Sequence, residues 1–127
     1  MNSKKEITLT INEKEFTAYL DNSSTSSSFE KLLPLTVKMM DLNSNEKYCT
    51  LDKDLQTKDV RFDTIEKGDI LLFQSNCLVL FYKTFSSGYK YTRIGKIANV
   101  DGLQEAVGNS TIKVTFTWLR LINFVFI

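Results

Sequence analysis

Short apolar runs that alternate with polar residues recur along nearly the whole chain, each cut off by a cluster of Asn, Asp, Ser or Gly. A period of two places every second side chain on one face, so the pattern points to half-buried antiparallel strands. Ile7, Leu9 and Ile11 alternate first, and Phe16, Ala18 and Leu20 alternate again after Asn12-Glu13-Lys14-Glu15, which predicts an opening hairpin. Leu35, Val37 and Met39 predict a third strand that breaks at Asp41-Leu42-Asn43-Ser44-Asn45, and Tyr48-Cys49-Thr50-Leu51 a weaker fourth. Ile70–Phe73 and Cys77–Tyr82, joined by Gln74-Ser75-Asn76, predict a second hairpin. Its second run is apolar at every position, which suits a strand covered on both faces or, by periodicity alone, a buried helix. Tyr89–Ile94 follows, extended or bulged through Gly95-Lys96-Ile97, and Ile112, Val114 and Phe116 form the last regular strand.

Two short helices interrupt the strands. The polar run Asp21–Ser28 reads either as a modification tract or as a loop with a helix cap; Ser27 and Glu30 stand at capping-box spacing. Phe29, Leu32 and Leu33 then share one face of a helix that Pro34 stops. A second helix is expected from Asp101, with Leu103, Ala106 and Val107 on one side and Gly108 as its cap. Between Asp52 and Gly68 the chain is charged and poorly patterned, with Leu55, Val60, Phe62 and Ile65 as candidate anchors of a long loop. About eight strands with short turns argue for a closed barrel or sandwich.

The residue inventory excludes more chemistry than it suggests. With no histidine, the chain lacks the commonest general base and zinc ligand. Cys49 and Cys77 have neither CxxC spacing nor histidine partners, so they are expected as reduced, packed thiols, bridged only if the chain were exported. Asp41, Asn43 and Asn45 have EF-hand-like offsets without the Gly and the closing Glu. No phosphate-loop, dinucleotide, nucleophile-elbow or HExxH motif is present. We therefore expect no cofactor and no metal. Sixteen basic against fifteen acidic residues supply no field for gathering nucleic acid. The N-terminus shows no signal peptide, so a cytoplasmic location is expected, and no apolar stretch is long enough for a transmembrane helix. Tyr89, Tyr91 and Arg93 share one face of their strand, either as a stacking and ion-pairing surface for a planar or anionic ligand or as ordinary barrel exterior.

Taken in order, Leu33-Pro34-Leu35-Thr36, Asp41–Tyr48, Ile65–Ile70, Ser75–Lys83 and Tyr91–Ile97 resemble the small prokaryotic (bacterial-type) cyclophilin-like domain family, over roughly residues 5–117. That resemblance implies a mainly β fold, a closed eight-stranded cyclophilin-like β-barrel with two short capping helices. It implies a domain at 1–117 and leaves 118–127 as an apolar C-terminal extension. The extension reads as a continuation of the last strand, a helix lying on the barrel, or a patch for self-association.

Cyclophilins that isomerise Xaa-Pro bonds use an arginine and a histidine around the proline, and this chain departs from that pattern. A gapless placement anchored on Gly95 puts Tyr91 near the histidine's place and Leu78 near one pocket phenylalanine; Lys38 stands nearest the arginine's place, though its point charge is a poor replacement for a planar guanidinium. The resemblance implies a non-catalytic binder of a small molecule or an extended peptide in the outer barrel cleft, lined by Lys38, Met40, Leu78, Tyr91 and Arg93. The alternative is a weak or unconventional peptidyl-prolyl cis-trans isomerase with Lys38 or Arg93 as donor.

Overall fold

Every predicted strand forms, and the sheet they build has no free edge. The computed structural model describes residues 5–119. In it β1 (Lys5–Ile11), β2 (Lys14–Leu20), β3 (Leu35–Leu42), β4 (Glu46–Thr50), β5 (Val60–Arg61), β6 (Thr64–Ile65), β7 (Asp69–Phe73), β8 (Cys77–Phe81), β9 (Phe85–Ser86), β10 (Lys90–Ile97) and β11 (Ile112–Trp118) follow one another with two helices between. Antiparallel pairing runs β2-β1-β11-β3-β4-β8-β7-β10, and β10 returns to pair with β2. These eight strands form a closed barrel, which removes the unpaired edges that an open sheet must protect.

Local chemistry sets the corners. The β1–β2 hairpin turns on Asn12 and Glu13, both with positive φ (50° and 69°), a geometry that matches the twist of the strands it joins. The turn is thus tighter than the four polar residues suggested, and β2 begins at Lys14. At the closing seam Gly95 pairs with Leu20, beside a register shift between Arg93 and Gly95. A Cβ on Gly95 would collide with the Tyr19 carbonyl oxygen, so only glycine lets β10 approach β2 closely enough to close the barrel.

The first helix, α1 (Ser24–Glu30), starts earlier than its capping-box spacing predicted. Its N-cap is Ser23, whose side chain accepts from Ser26 N at 3.1 Å, and the serine run forms the helix itself. Glu30 pairs with Lys5 on β1 instead of reaching back to Ser27. Ser26 Oγ donates to Ile94 O at 2.6 Å, and Phe29 meets Phe116 edge to face at 5.4 Å, so α1 covers the barrel end where β1 begins. The second helix, α2 (Leu103–Val107), buries Leu103 and Val107 and ends at Gly108 as expected. Trp118 is the last residue of β11, opposite Ile7; the apolar stretch from 120 onward lies outside the described residues.

The barrel core holds Ile7, Leu9, Ile11, Leu72, Leu80 and Val114 among others. Cys49 sits in it, whereas Cys77 faces the opposite side of the sheet. The register pairs Thr50 with Cys77 and Cys49 with Leu78, so both cysteines are free and a bridge between them is excluded by strand geometry. One ion lies inside. Lys47 is fully buried, with Nζ 3.2 Å from Asp41 Oδ1 and donating to Ser110 O at 2.5 Å, and Tyr82 Oη donates to the same Asp41 oxygen at 2.5 Å. Asp41 Oδ2 also accepts from Ser44 N in the β3–β4 turn, which accounts for the Asp-x-Asn-x-Asn spacing as turn chemistry. Burial pushes the Asp41 carboxyl up, but the hydrogen bonds from Tyr82 and Lys47 and the Lys47 charge outweigh it, so it stays below its ordinary 3.8.

Two outcomes follow. Gly95→Ala should destabilise the fold by roughly 1–3 kcal/mol, the cost of forcing extra volume into a packed seam; an unchanged urea midpoint would show that β10 can shift. Lys47→Met should cost about 1–3 kcal/mol at neutral pH by leaving the partly buried Asp41 carboxylate without its cation. Because the Asp41 carboxyl is held low, that contribution is present above its ordinary value and is lost as pH falls through its lower folded value. The wild-type and variant melting curves should therefore converge in acid.

Candidate functional site

Strand β8 is apolar throughout because both of its faces are covered. Leu78 and Leu80 point into the barrel, while Val79 and Phe81 belong to a second apolar cluster on the outside, with Phe62, Ile65, Leu71 and Tyr91. The charged segment between Asp52 and Gly68 supplies the cover. Phe62 and Ile65 are buried against the barrel, and Phe62 N donates to Tyr89 O at 3.0 Å. Leu55 anchors the same segment at the α1 end. Val60, the fourth expected anchor, is 48% exposed: it pairs with Tyr91 through backbone only, because β5 lies outside the barrel wall.

Tyr91 is the hub of this outer layer. Its ring lies 5.8 Å from Phe62, 5.6 Å from Phe81 and 5.7 Å from Phe73, the first two edge to face. Such contacts add about 0.5–1.5 kcal/mol each beyond the area they bury. Beside it opens a cavity of about 540 Å³ over β4, β8 and β7. Glu46 and Tyr48 enter from β4, Cys77 and Val79 from β8, and Phe73 from β7. Phe85 and Tyr89 close one side, and Leu42, Asn43 and Asn45 of the β3–β4 turn the other.

Among the described residues, Glu46 is the only formally charged one in the lining. Burial pushes its carboxyl up to about 7, and the nearby Asp41 charge acts in the same direction. Burial also raises the Cys77 thiol, with the Glu46 charge adding to it, so Cys77 is poorly activated as a nucleophile. Tyr91 is raised by burial first and by Glu46 second, with a hydrogen bond to Ser87 opposing.

The family model described as the cyclophilin-like family matches residues 9–118, from β1 to the end of β11. The chain belongs to the cyclophilin-like family. The solution structure of a hypothetical protein from Archaeoglobus fulgidus superimposes with a TM-score of 0.60 at 18% identity, covering 92% of this chain and 96% of that one. At that identity the likeness concerns the fold. No curated protein matches the chain.

Of the five residues expected to line the outer cleft of this cyclophilin-like barrel, the structure brings Tyr91 to the cavity and scatters the others. Leu78 has no exposure at all and faces the barrel interior; its neighbour Val79 takes the outward position. Arg93 lies on the outer face but stacks over Phe62 at 5.1 Å, with Nη1 3.3 Å from the buried Asp69 and Nε 3.9 Å from Asp21. Lys38 is exposed on β3, opposite Lys113 on β11. Met40 is 47% exposed and pairs with the cavity residue Tyr48 without lining the cavity itself. Glu46, Tyr48, Phe73 and Phe85 line the cavity as well; the alternation of their own segments does not show it, because the lining is completed by Tyr89 and Tyr91 from elements distant in sequence. Among the described residues no group of His, Cys, Asp and Glu is arranged to hold a metal ion, and no helix is long and apolar enough to cross a membrane.

Since the folded state holds the Glu46 proton more tightly than the unfolded chain, the stability tied to that proton is fully present below about pH 4.5. It declines as pH rises through about 7. Glu46→Gln should therefore match the wild type in acid and exceed it by up to about 2–3 kcal/mol at pH 8. Parallel thermal melts at the two ends of the range check this, and equal pH slopes would rule it out.

Proposed function

We propose that this protein is a non-catalytic cyclophilin-like barrel that binds a small molecule or the side chain of an extended peptide in the outer cavity beside Tyr91. The observation that carries the reading is a half-open space of about 540 Å³ walled by three tyrosines and two phenylalanines, with one carboxyl and two amides among them. Largely apolar concave sites with a few polar groups are the usual form of a small-ligand site. Tyr89, 69% exposed, and the half-buried Tyr48 and Phe73 leave aromatic surface for a ligand to cover.

The arrangement favours binding over isomerisation. Rotating a prolyl bond means lowering a barrier of about 18–20 kcal/mol, which calls for a donor aimed at the amide nitrogen. Arg93, one candidate donor, is committed to Asp69, Asp21 and the Phe62 ring. Lys38, the other, stands on β3 outside the cavity lining.

NMR exchange spectroscopy on a proline-containing peptide, with and without the protein, tests both readings at once. Shift changes at Tyr48, Val79 and Tyr91 without faster cis/trans exchange are expected. Accelerated exchange that Arg93→Ala abolishes would replace this reading with the isomerase one, and a peptide that perturbs none of these residues would restrict the site to small molecules.

A further inference from the structure

We propose that the outer cavity recognises an organic cation, a quaternary or tertiary ammonium group seated among Tyr48, Tyr89 and Tyr91 with Glu46 as its counter-charge. This deepens the cavity-binding reading and rests on it. Aromatic rings carry negative potential on their faces and attract alkylammonium groups, the more so when water is excluded. The cavity joins such rings from three separate strands and loops to a single carboxyl.

Charge complementarity selects the sign of the ligand. None of the lining residues is cationic. Lys47 follows Glu46 on β4 but points into the barrel, onto Asp41 and the Ser110 carbonyl; Arg93 is held over Phe62 by Asp69; and Arg61, which donates to the Gly88 carbonyl beside Tyr89, is paired with Asp63. Asp41, though paired with Lys47 on the barrel side of the sheet, still bears on Glu46 across the β3–β4 pair. An anion would meet the Glu46 carboxylate. A neutral ligand would strip water from Glu46 and return nothing, whereas a cation offsets the burial and the Asp41 repulsion that push the carboxyl toward neutrality.

The titratable groups around Glu46 are Asp41 on β3, Cys77 on β8, Tyr82 just past β8 and Tyr91 on β10. Burial raises Cys77, Tyr82 and Tyr91 above their ordinary values and Asp41 lies below 3.8, so Glu46 is the member that changes charge near neutrality.

The test titrates the full chain with choline and, separately, with its uncharged carbon isostere, in which a tert-butyl group replaces trimethylammonium. Amide shifts of residues 46–48, 77–79 and 89–91 report occupancy. At pH 8 choline should bind about tenfold more tightly than the isostere. That preference should shrink below pH 6 and vanish in Glu46→Gln, a variant expected to fold at least as well as the parent. Equal binding of the two probes, or a preference that survives in Glu46→Gln, would overturn the cation assignment while leaving the cavity reading intact. No response at these residues to either probe would overturn the cation assignment, and the peptide titration then decides the cavity reading by itself.

Discussion

A barrel strand buried on both faces is the constraint on which the rest of this structure depends. β8 packs Leu78 and Leu80 inward and Val79 and Phe81 outward, and the outward pair stays dry only because Phe62, Ile65 and Phe85 fold over it. Covering an outer face in this way turns an ordinary barrel wall into a two-layer structure. Tyr91 ties the layers together through three ring contacts, so the position of the outer segments and the shape of the cavity are set by the same side chain.

The polar groups obey a matching logic. Among the described residues no buried side-chain nitrogen or oxygen lacks a partner. Lys47, which an isolated barrel core would reject, is tolerated because Asp41, Tyr82 and the Ser110 carbonyl surround it. Asp69, also buried, accepts from the Glu66 amide and from Arg93. Glu46 is the exception in kind. Its carboxyl sits where burial and a neighbouring charge disfavour ionisation, and it faces a space large enough for a ligand. Perturbed groups of this sort, in a cavity and without a structural partner that explains them, are where function is to be sought.

The aromatic and arginine face read from Tyr89, Tyr91 and Arg93 shows how far such a motif carries. Alternation correctly puts Tyr91 and Arg93 on one side of β10, and that side is the outer one. It does not show that Phe62 arrives from thirty residues away to separate them, leaving the tyrosine at the cavity and the arginine in a stacked ion pair. Lys38 and Met40 likewise stand on the outer face of β3, but the cavity forms one strand further round, over β4 and β8.

By itself the sequence determined the eight barrel strands, the hairpins and the second helix, because alternation and turn residues act over a few neighbouring positions; the two-residue strands β5, β6 and β9 carry no such signal. It also pointed to β8 as a strand covered on both faces, since an unbroken apolar run placed in a barrel wall has no solvent side. Only the tertiary structure decided which side of that run faces the site. A strand apolar on both sides carries no parity signal, and a slip of one residue exchanges its faces, which is why Leu78 was expected where Val79 stands. The site's acid was hidden for a related reason. Glu46 resembles any loop-edge carboxylate until β8, β10 and the 85–89 segment, all distant in sequence, close around it and remove its water.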